Sequence, residues 1–322
     1  MLRRTIITLS AILFAIVGMA QPPRTVAFYN TENFFDTIPS RTTYDEDMLP
    51  LADKHWNSER YAAKLQLITQ TLASISDDIP ALIGLAEVEN RTVLDDLVST
   101  PALAQGHYAI CHYDSADERG IDVALLYRPE VFHLEGSRAI KPTADDSTRD
   151  ILTVWGEMDG HPTFIVVVHW PSRIGGVDFT EPLRRECARQ VRGIIDSVMM
   201  TKPSTRIIVM GDMNDNPRDK SLSHDLRATA RPTTATDLYN PFADVWSARR
   251  GSSVYDGRWN QYDNIIVSTN TPLRPIDGRK RAAVYRHPSL LTHKGTPCPT
   301  YSGSRYEGGA SDHLPVYIVI GE

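Results

Sequence analysis

A chain of 322 residues, 41% hydrophobic and 23% charged, has the apolar content for one large domain or two small ones. Its net charge of −6 excludes a surface coated in positive potential, although one basic face can sit inside an acidic total. Three cysteines with no C-x-x-C pair exclude a disulfide-dense scaffold and a cysteine-rich zinc site.

Arg3 and Arg4 precede an apolar run from Thr5 to Val17, and Gly18-Met19-Ala20 supplies small residues for cleavage. The pattern predicts a secretory signal peptide over residues 1–20, hence a secreted or periplasmic location, and a single domain over residues 24–322. The run is short for a membrane span, and no later segment is long and apolar enough for one. An uncleaved anchor is the other reading. Loss of Arg3 and Arg4 takes the net charge to −8. The remaining Cys111, Cys187 and Cys298 allow at most one internal disulfide, and the mature protein is expected to be a monomer.

The first strand is expected over Arg24 to Tyr29, ending on Asn30 and Glu32, a polar pair two residues apart. Ser58 is placed to cap a helix to about Ser74, with Tyr61, Leu65, Ile68, Leu72 and Ile75 at helical spacing. Ala81 to Ala86 reads as a buried strand closing on Glu87, which in isolation is more often a surface glutamate. Tyr108 to Tyr113 and Ile121 to Tyr127 read as neighbouring strands, with Asp122 awkward as an unpaired charge.

Phe164 to Val168 is the most hydrophobic run beyond the leader and exits on His169-Trp170-Pro171-Ser172-Arg173. Thr180 is expected to cap a helix with Pro182 in its first turn and Leu183, Cys187, Val191, Ile194 and Val198 as its buried stripe. Arg185, Arg189 and Arg192 share another face, either solvated or available to steer phosphate. Ile207 to Met210 form a buried strand ended by Gly211, with Asp212 and Asn214 at its exit. An Asx-rich turn with nothing bound is the bland reading there. After an irregular stretch, Tyr262 to Ser268 forms a strand with Asp263 near its start. A basic segment with Arg274, Arg279, Lys280, Arg281 and Arg286 follows, and Asp312 and His313 precede the last strand.

Polar residues thus recur at strand ends. Gathered at one rim they supply hard oxygen ligands, imidazoles and amides, a set suited to magnesium, manganese or calcium rather than zinc. No Gly-x-Ser-x-Gly elbow and no P-loop occurs, so metal-assisted phosphate-ester hydrolysis is the chemistry indicated.

Tyr29-Asn30 with Glu32, Glu87-Val88-Glu89, Val168-His169-Trp170, Gly211-Asp212-Met213-Asn214, Tyr262-Asp263 and Ser311-Asp312-His313 occur in the order of motifs that they resemble in the endonuclease/exonuclease/phosphatase superfamily. The resemblance covers essentially the whole chain past the leader. It implies an α/β fold, a four-layer α/β sandwich of two mixed β-sheets face to face with helices outside. It implies Glu87 as principal metal ligand, with Glu32 and Asp312 as further metal residues and Asn30 on a phosphate oxygen or water. Asp212 would activate the attacking water, Asn214 would align phosphate and base, and His313 would contact the scissile phosphate, oriented by Asp263. Family members differ over whether the aspartate or the histidine is the base. His169 would stabilise the phosphorane or protonate the leaving oxygen, and Arg173 would contact phosphate. The substrate expected is nucleic acid, DNA or RNA, cleaved with Mg2+ (Mn2+ or Ca2+ also suit). A small phosphate ester or lipid headgroup, and last a non-catalytic binding role, are the alternatives.

Overall fold

The computed structural model describes residues 22–145 and 147–321; the signal segment expected over residues 1–20 lies outside them. In chain order the strands are β1 (Arg24–Phe34), β2 (Leu82–Val88), β3 (Ala109–His112), β4 (Asp122–Tyr127), β5 (Phe132–Ile140), β6 (Ile151–Met158), β7 (His161–His169), β8 (Arg206–Asp212), β9 (Ala228–Thr229), β10 (Leu238–Tyr239), β11 (Ser253–Tyr255), β12 (Arg258–Asn260), β13 (Asp263–Ser268), β14 (Ala282–Val284), β15 (Tyr301–Ser302), β16 (Arg305–Tyr306) and β17 (Val316–Ile320). The helices are α1 (Ser58–Ala73), α2 (Arg91–Ser99), α3 (Pro101–Ala104) and α4 (Val177–Thr201). One sheet has six strands in the order β14-β17-β1-β2-β4-β3, the other seven in the order β5-β6-β7-β8-β13-β10-β9.

Period-two alternation makes the layers. Val26 and Phe28 of β1 meet Ile165 and Val167 of β7, and Ile208 and Met210 of β8, in the core between the sheets. Ala27 and Tyr29 point the other way, against Ile68 and Leu72 of α1 and Val93 and Leu97 of α2. Val166, Val168, Ile207 and Val209 pack outward on Cys187, Val191 and Ile195 of α4. The result is helix, sheet, sheet, helix, as the resemblance implied. Each fully buried Leu, Ile or Phe contributes about 1.5–3 kcal/mol to holding the layers together. Gly84 lets the sheets close, because a Cβ there would stand 2.4 Å from Met210 Sδ.

Both helix starts differ from expectation. Asn57, not Ser58, caps α1, its side chain accepting the Arg60 amide. α4 begins three residues before Thr180, whose hydroxyl donates to the Gly176 carbonyl inside the first turn. Its buried face carries Arg184 rather than the half-buried Leu183. All three cysteines are free. No helix among the described residues is long and apolar enough to cross a membrane.

Each sheet contains one long parallel pair, β1 with β2 and β7 with β8. The carboxyl ends of these four strands lie at one rim of the sandwich, where α/β folds gather ligands.

Candidate active site

Parity decides which residues enter the rim. Asn30, His169, Asp212 and Asp263 fall on the same face of their strands as Phe28, Val167, Met210 and Ile265, so they continue the core between the sheets as a polar end-cap. Register aligns His169 with Asp212 across β7 and β8, and Asp212 with Asp263 across β8 and β13. Glu87 has the wrong parity. A register shift between Ala86 and Val88, with Glu87 at φ 60°, turns its side chain into the site. Glu32, Asn33 and Asn214 are also left-handed, at φ 49°, 50° and 50°. Such conformations cost on the order of 1 kcal/mol or more each for a non-glycine residue and concentrate at functional sites.

Asn30 joins the two sheets. Its Nδ2 donates to Asp212 Oδ2 at 3.0 Å and to Glu87 Oε1 at 3.3 Å. Two imidazoles converge on the same oxygen: His169 Nε2 and His313 Nε2 each lie 3.7 Å from Asp212 Oδ2. His169 Nε2 is also 3.7 Å from Glu87 Oε1. Asp212 Oδ1 accepts the Asn214 amide at 2.9 Å, and Asn214 Nδ2 donates to the Trp170 carbonyl at 3.0 Å. Asp263 Oδ2 holds His313 Nδ1 at 2.6 Å.

The two histidines are polarised in opposite directions. Burial would depress His313, but Asp263, Asp312 and Asp212 outweigh it and raise its pKa well above the ordinary value, so it is an imidazolium at neutral pH. His169 is pushed well below the ordinary value by burial, with Arg149, Arg119 and His313 adding to the effect, and stays neutral. Burial raises Asp212 to about 6, against the opposing pull of His313. It therefore remains ionised at neutral pH while being more basic than an ordinary aspartate.

Glu32 and Arg173 have partners of another kind. Glu32 accepts the backbone amides of Thr300 (2.7 Å), Asp312 (3.0 Å) and Tyr301 (3.4 Å), fastening β1 to the segment that carries His313. Burial raises it to about 7. Asp312 is solvent-exposed at the rim. The Arg173 guanidinium donates to the Asn214 carbonyl at 2.6 Å and to Asp215 Oδ1 at 2.6 Å, pairs with Asp219, and lies over the Tyr262 ring. Arg173 thus buttresses the Asn214 loop. The arginine face of α4 is likewise occupied, with Arg185 and Arg189 on Asp225 and Arg192 on Asp196.

Sequence reasoning passed over Arg149, Arg184 and Lys64. Arg149 binds the Trp170 carbonyl and Asp117 beneath His169. Arg184, fully buried, pairs with Asp215 at 2.9 Å. Lys64 donates to the Glu32 carbonyl and to Thr300 Oγ1. An arginine at helical spacing gives no sign that it will be buried until its carboxylate partner is placed. Asp122 finds its partner in His112, at 3.1 Å, and in the Ser115 amide at 2.9 Å.

The donor set fits a hard divalent cation. Glu87 and Asp212 present carboxylates to one point beside the Asn30 amide. Asp212, Asp263 and His313 place ligand atoms within 4.8 Å of one another, and Asp263 Oδ1 is buried without a partner. Asp263 Oδ2 is engaged by His313, so Glu87 and Asp212, whose carboxylates meet at the Asn30 amide, are the residues that would hold the cation.

A sequence profile of the Endonuclease/Exonuclease/phosphatase family matches residues 25–322. No curated protein matches in sequence. Among solved structures, a Bacteroides thetaiotaomicron mannosyl-6-phosphatase is similar at TM-score 0.60 and 17% identity, over 92% of this chain and 99% of that one. An endonuclease/exonuclease/phosphatase family protein of the same organism gives 0.60 and 19%, over 94% and 96%. D. rerio TDP2 complexed with a single-strand DNA product gives 0.55 and 15%, over 94% and 100%. With the profile spanning nearly all of the two-sheet framework and every rim residue, this chain belongs to the endonuclease/exonuclease/phosphatase family, whose members are divalent-metal-dependent phosphoesterases.

Proposed function

We propose that the chain hydrolyses phosphodiester bonds of nucleic acid with Mg2+, Mn2+ or Ca2+ being alternatives, and that it does so outside the cytoplasm, as the segment from Arg3 to Ala20 indicates. The observation that carries the reading is the convergence of a neutral and a cationic imidazole on Asp212 Oδ2, each at 3.7 Å.

In-line attack of water on a diester needs a base, charge compensation and a proton for the leaving oxygen. Asp212, raised to about 6, supports the role of base, with Asn30 and the Asn214 amide fixing its carboxylate. His313, kept protonated by Asp263, suits the nonbridging oxygens and is the proton donor in reach. His169, neutral and buried, offers Nε2 as a hydrogen-bond donor to the phosphoryl group. Glu87, with Asp212, would hold the cation, which when bound draws off charge that builds on the phosphoryl oxygens. A strand-bound neighbour of this fold supports nucleic acid as substrate. The phosphatase neighbour supports a small phosphate ester as the second reading.

The test assays purified protein with Mg2+ on plasmid DNA and on phosphomonoesters, with Asp212→Ala and a chelator as controls. DNA cleavage lost in both controls is expected. Phosphate release with intact DNA would replace the nuclease reading by the phosphatase one.

A further inference from the structure

A cleft of about 490 Å³ opens beside the rim, lined by Arg249, Arg250, Lys280 and Arg286, with Asp277 as its single carboxylate. The chain around it is acidic overall, at −6, yet no carboxylate among the described residues comes within 4 Å of any of these four cations. That sets them apart from Arg173, Arg184, Arg185, Arg189 and Arg192, every one of which is paired. Four like charges gathered without counter-ions repel one another, and a protein retains such a cluster at a cost in stability. One of them is pre-set: Arg286 lies 4.7 Å over the Trp259 ring and donates Nη2 to the Gly295 carbonyl at 2.9 Å.

Both walls of the cleft are bonded to the backbone that carries His313. On one side Gly251 lines the cleft, the adjacent Ser252 carbonyl accepts the Leu314 amide at 2.7 Å, and Ser253 bridges His313. On the other side β14 pairs with β17, and the Tyr285 amide donates to the Pro315 carbonyl at 2.7 Å. The cationic cleft therefore continues directly from the segment that presents the imidazolium.

We propose that this cleft, formed by Arg249, Arg250, Lys280 and Arg286, is a subsite for the phosphate backbone of a nucleic-acid strand flanking the bond held at His313. The inference rests on the nucleic-acid reading of the site and deepens it. A small phosphate ester ends at the rim and leaves the cleft empty. A strand carries further phosphates past the rim, where they meet the unpaired cations and release their counterions.

The test measures binding of a fluorescein-labelled single-stranded oligodeoxynucleotide by anisotropy, with chelator present to stop turnover, across a salt series. Wild type is compared with Arg249→Gln/Arg250→Gln/Lys280→Gln and with the charge-keeping Arg249→Lys/Arg250→Lys. Hydrolysis of bis(p-nitrophenyl) phosphate is followed in parallel with Mg2+. The glutamine variant is expected to bind about 10-fold or more weakly at low salt, with its salt slope shallower by about 2, since each lost single-strand phosphate contact removes about 0.7. Its hydrolysis of the small diester is expected to be unchanged, and the lysine variant is expected to bind like wild type. If wild type binds and cleaves the oligonucleotide and the glutamine variant matches it in affinity and slope, the subsite is overturned while the nuclease reading stands. If wild type hydrolyses the small diester but neither binds nor cleaves the oligonucleotide, the nucleic-acid reading fails and takes the subsite with it.

Discussion

Asp263 Oδ2 and His313 Nδ1 stand 2.6 Å apart with both residues buried, and this contact leads the carboxylates that keep the imidazole facing Asp212 charged. Burial alone would strip the proton from His313; the adjacent carboxylates hold it on. Removing the charge but keeping the shape, as in Asp263→Asn, should lower kcat/KM by about 10²- to 10⁴-fold. The sign in pH follows from the raised pKa. His313 stabilises the fold fully below its unfolded value, about 6.5, and loses that contribution as pH rises through the elevated folded value. Activity that needs the imidazolium should therefore persist well above pH 6.5 in wild type, and its alkaline limb should move to lower pH in the variant. A pH–rate profile checks this; an unmoved limb would show that Asp263 does not govern the proton.

Arg173 is expected to act through the Asn214 loop. Arg173→Ala leaves Asp215 and Asp219 without their shared cation. Loss of one partner of a buried pair costs about 3–5 kcal/mol, and the figure should be lower here because Asp215 keeps Arg184 and Asp219 is partly exposed. Chemical denaturation should show this loss, and kcat should fall with KM little changed. The salt slope of oligonucleotide binding should stay at the wild-type value. A slope that drops by the increment of one phosphate contact would mean that Arg173 touches substrate.

Glu87→Gln separates the carboxylate from the bend that presents it. The variant keeps φ 60° at this position and an oxygen for the Asn33 amide, now bonded to Oε2 at 2.9 Å. Stability should change by about 1 kcal/mol or less, while the Mg2+ concentration needed for half-maximal activity should rise by about 10-fold or more. Metal titration of activity decides it, and an unchanged metal requirement would remove Glu87 from the ligand set.

Much of this site was legible because strand chemistry is periodic. Ile207 to Met210 announced a buried strand, and a polar residue two positions after an inward-facing one inherits its face, as with Asp212 after Met210 and Asn30 after Phe28. Glu87 was legible only through the motif, because parity puts it on the helix side and a local bulge reverses that. The function of Glu32 was less legible: its carboxylate is used up by amides of Thr300, Tyr301 and Asp312, residues about 270 positions away in the chain. Arg184 illustrates the same difficulty. Hydrophobic periodicity assigned the buried face of α4 to Leu183, and only the distant Asp215 explains why a guanidinium displaced it. Propensity and period describe one element at a time, whereas these partners are set by tertiary contacts.

Removal of divalent cation should reveal the burden of the buried Asp212 carboxylate. Its folded pKa of about 6 lies above the unfolded value, 3.8, so ionisation destabilises the fold as pH rises between the two. The full difference corresponds to about 3 kcal/mol, at about 1.4 kcal/mol per pH unit. A cation held by Glu87 and Asp212 favours the ionised form and offsets this loss. Mg2+ should therefore raise Tm most above about pH 6 and progressively less as pH falls through that value, because protonated Asp212 offers a poorer ligand. Calorimetry with Mg2+ or chelator across that range measures the shift directly. A Tm increment equal at about pH 5 and about pH 8 would place the cation away from Asp212, and Asp212→Asn, which should lose the increment at every pH, gives the independent check.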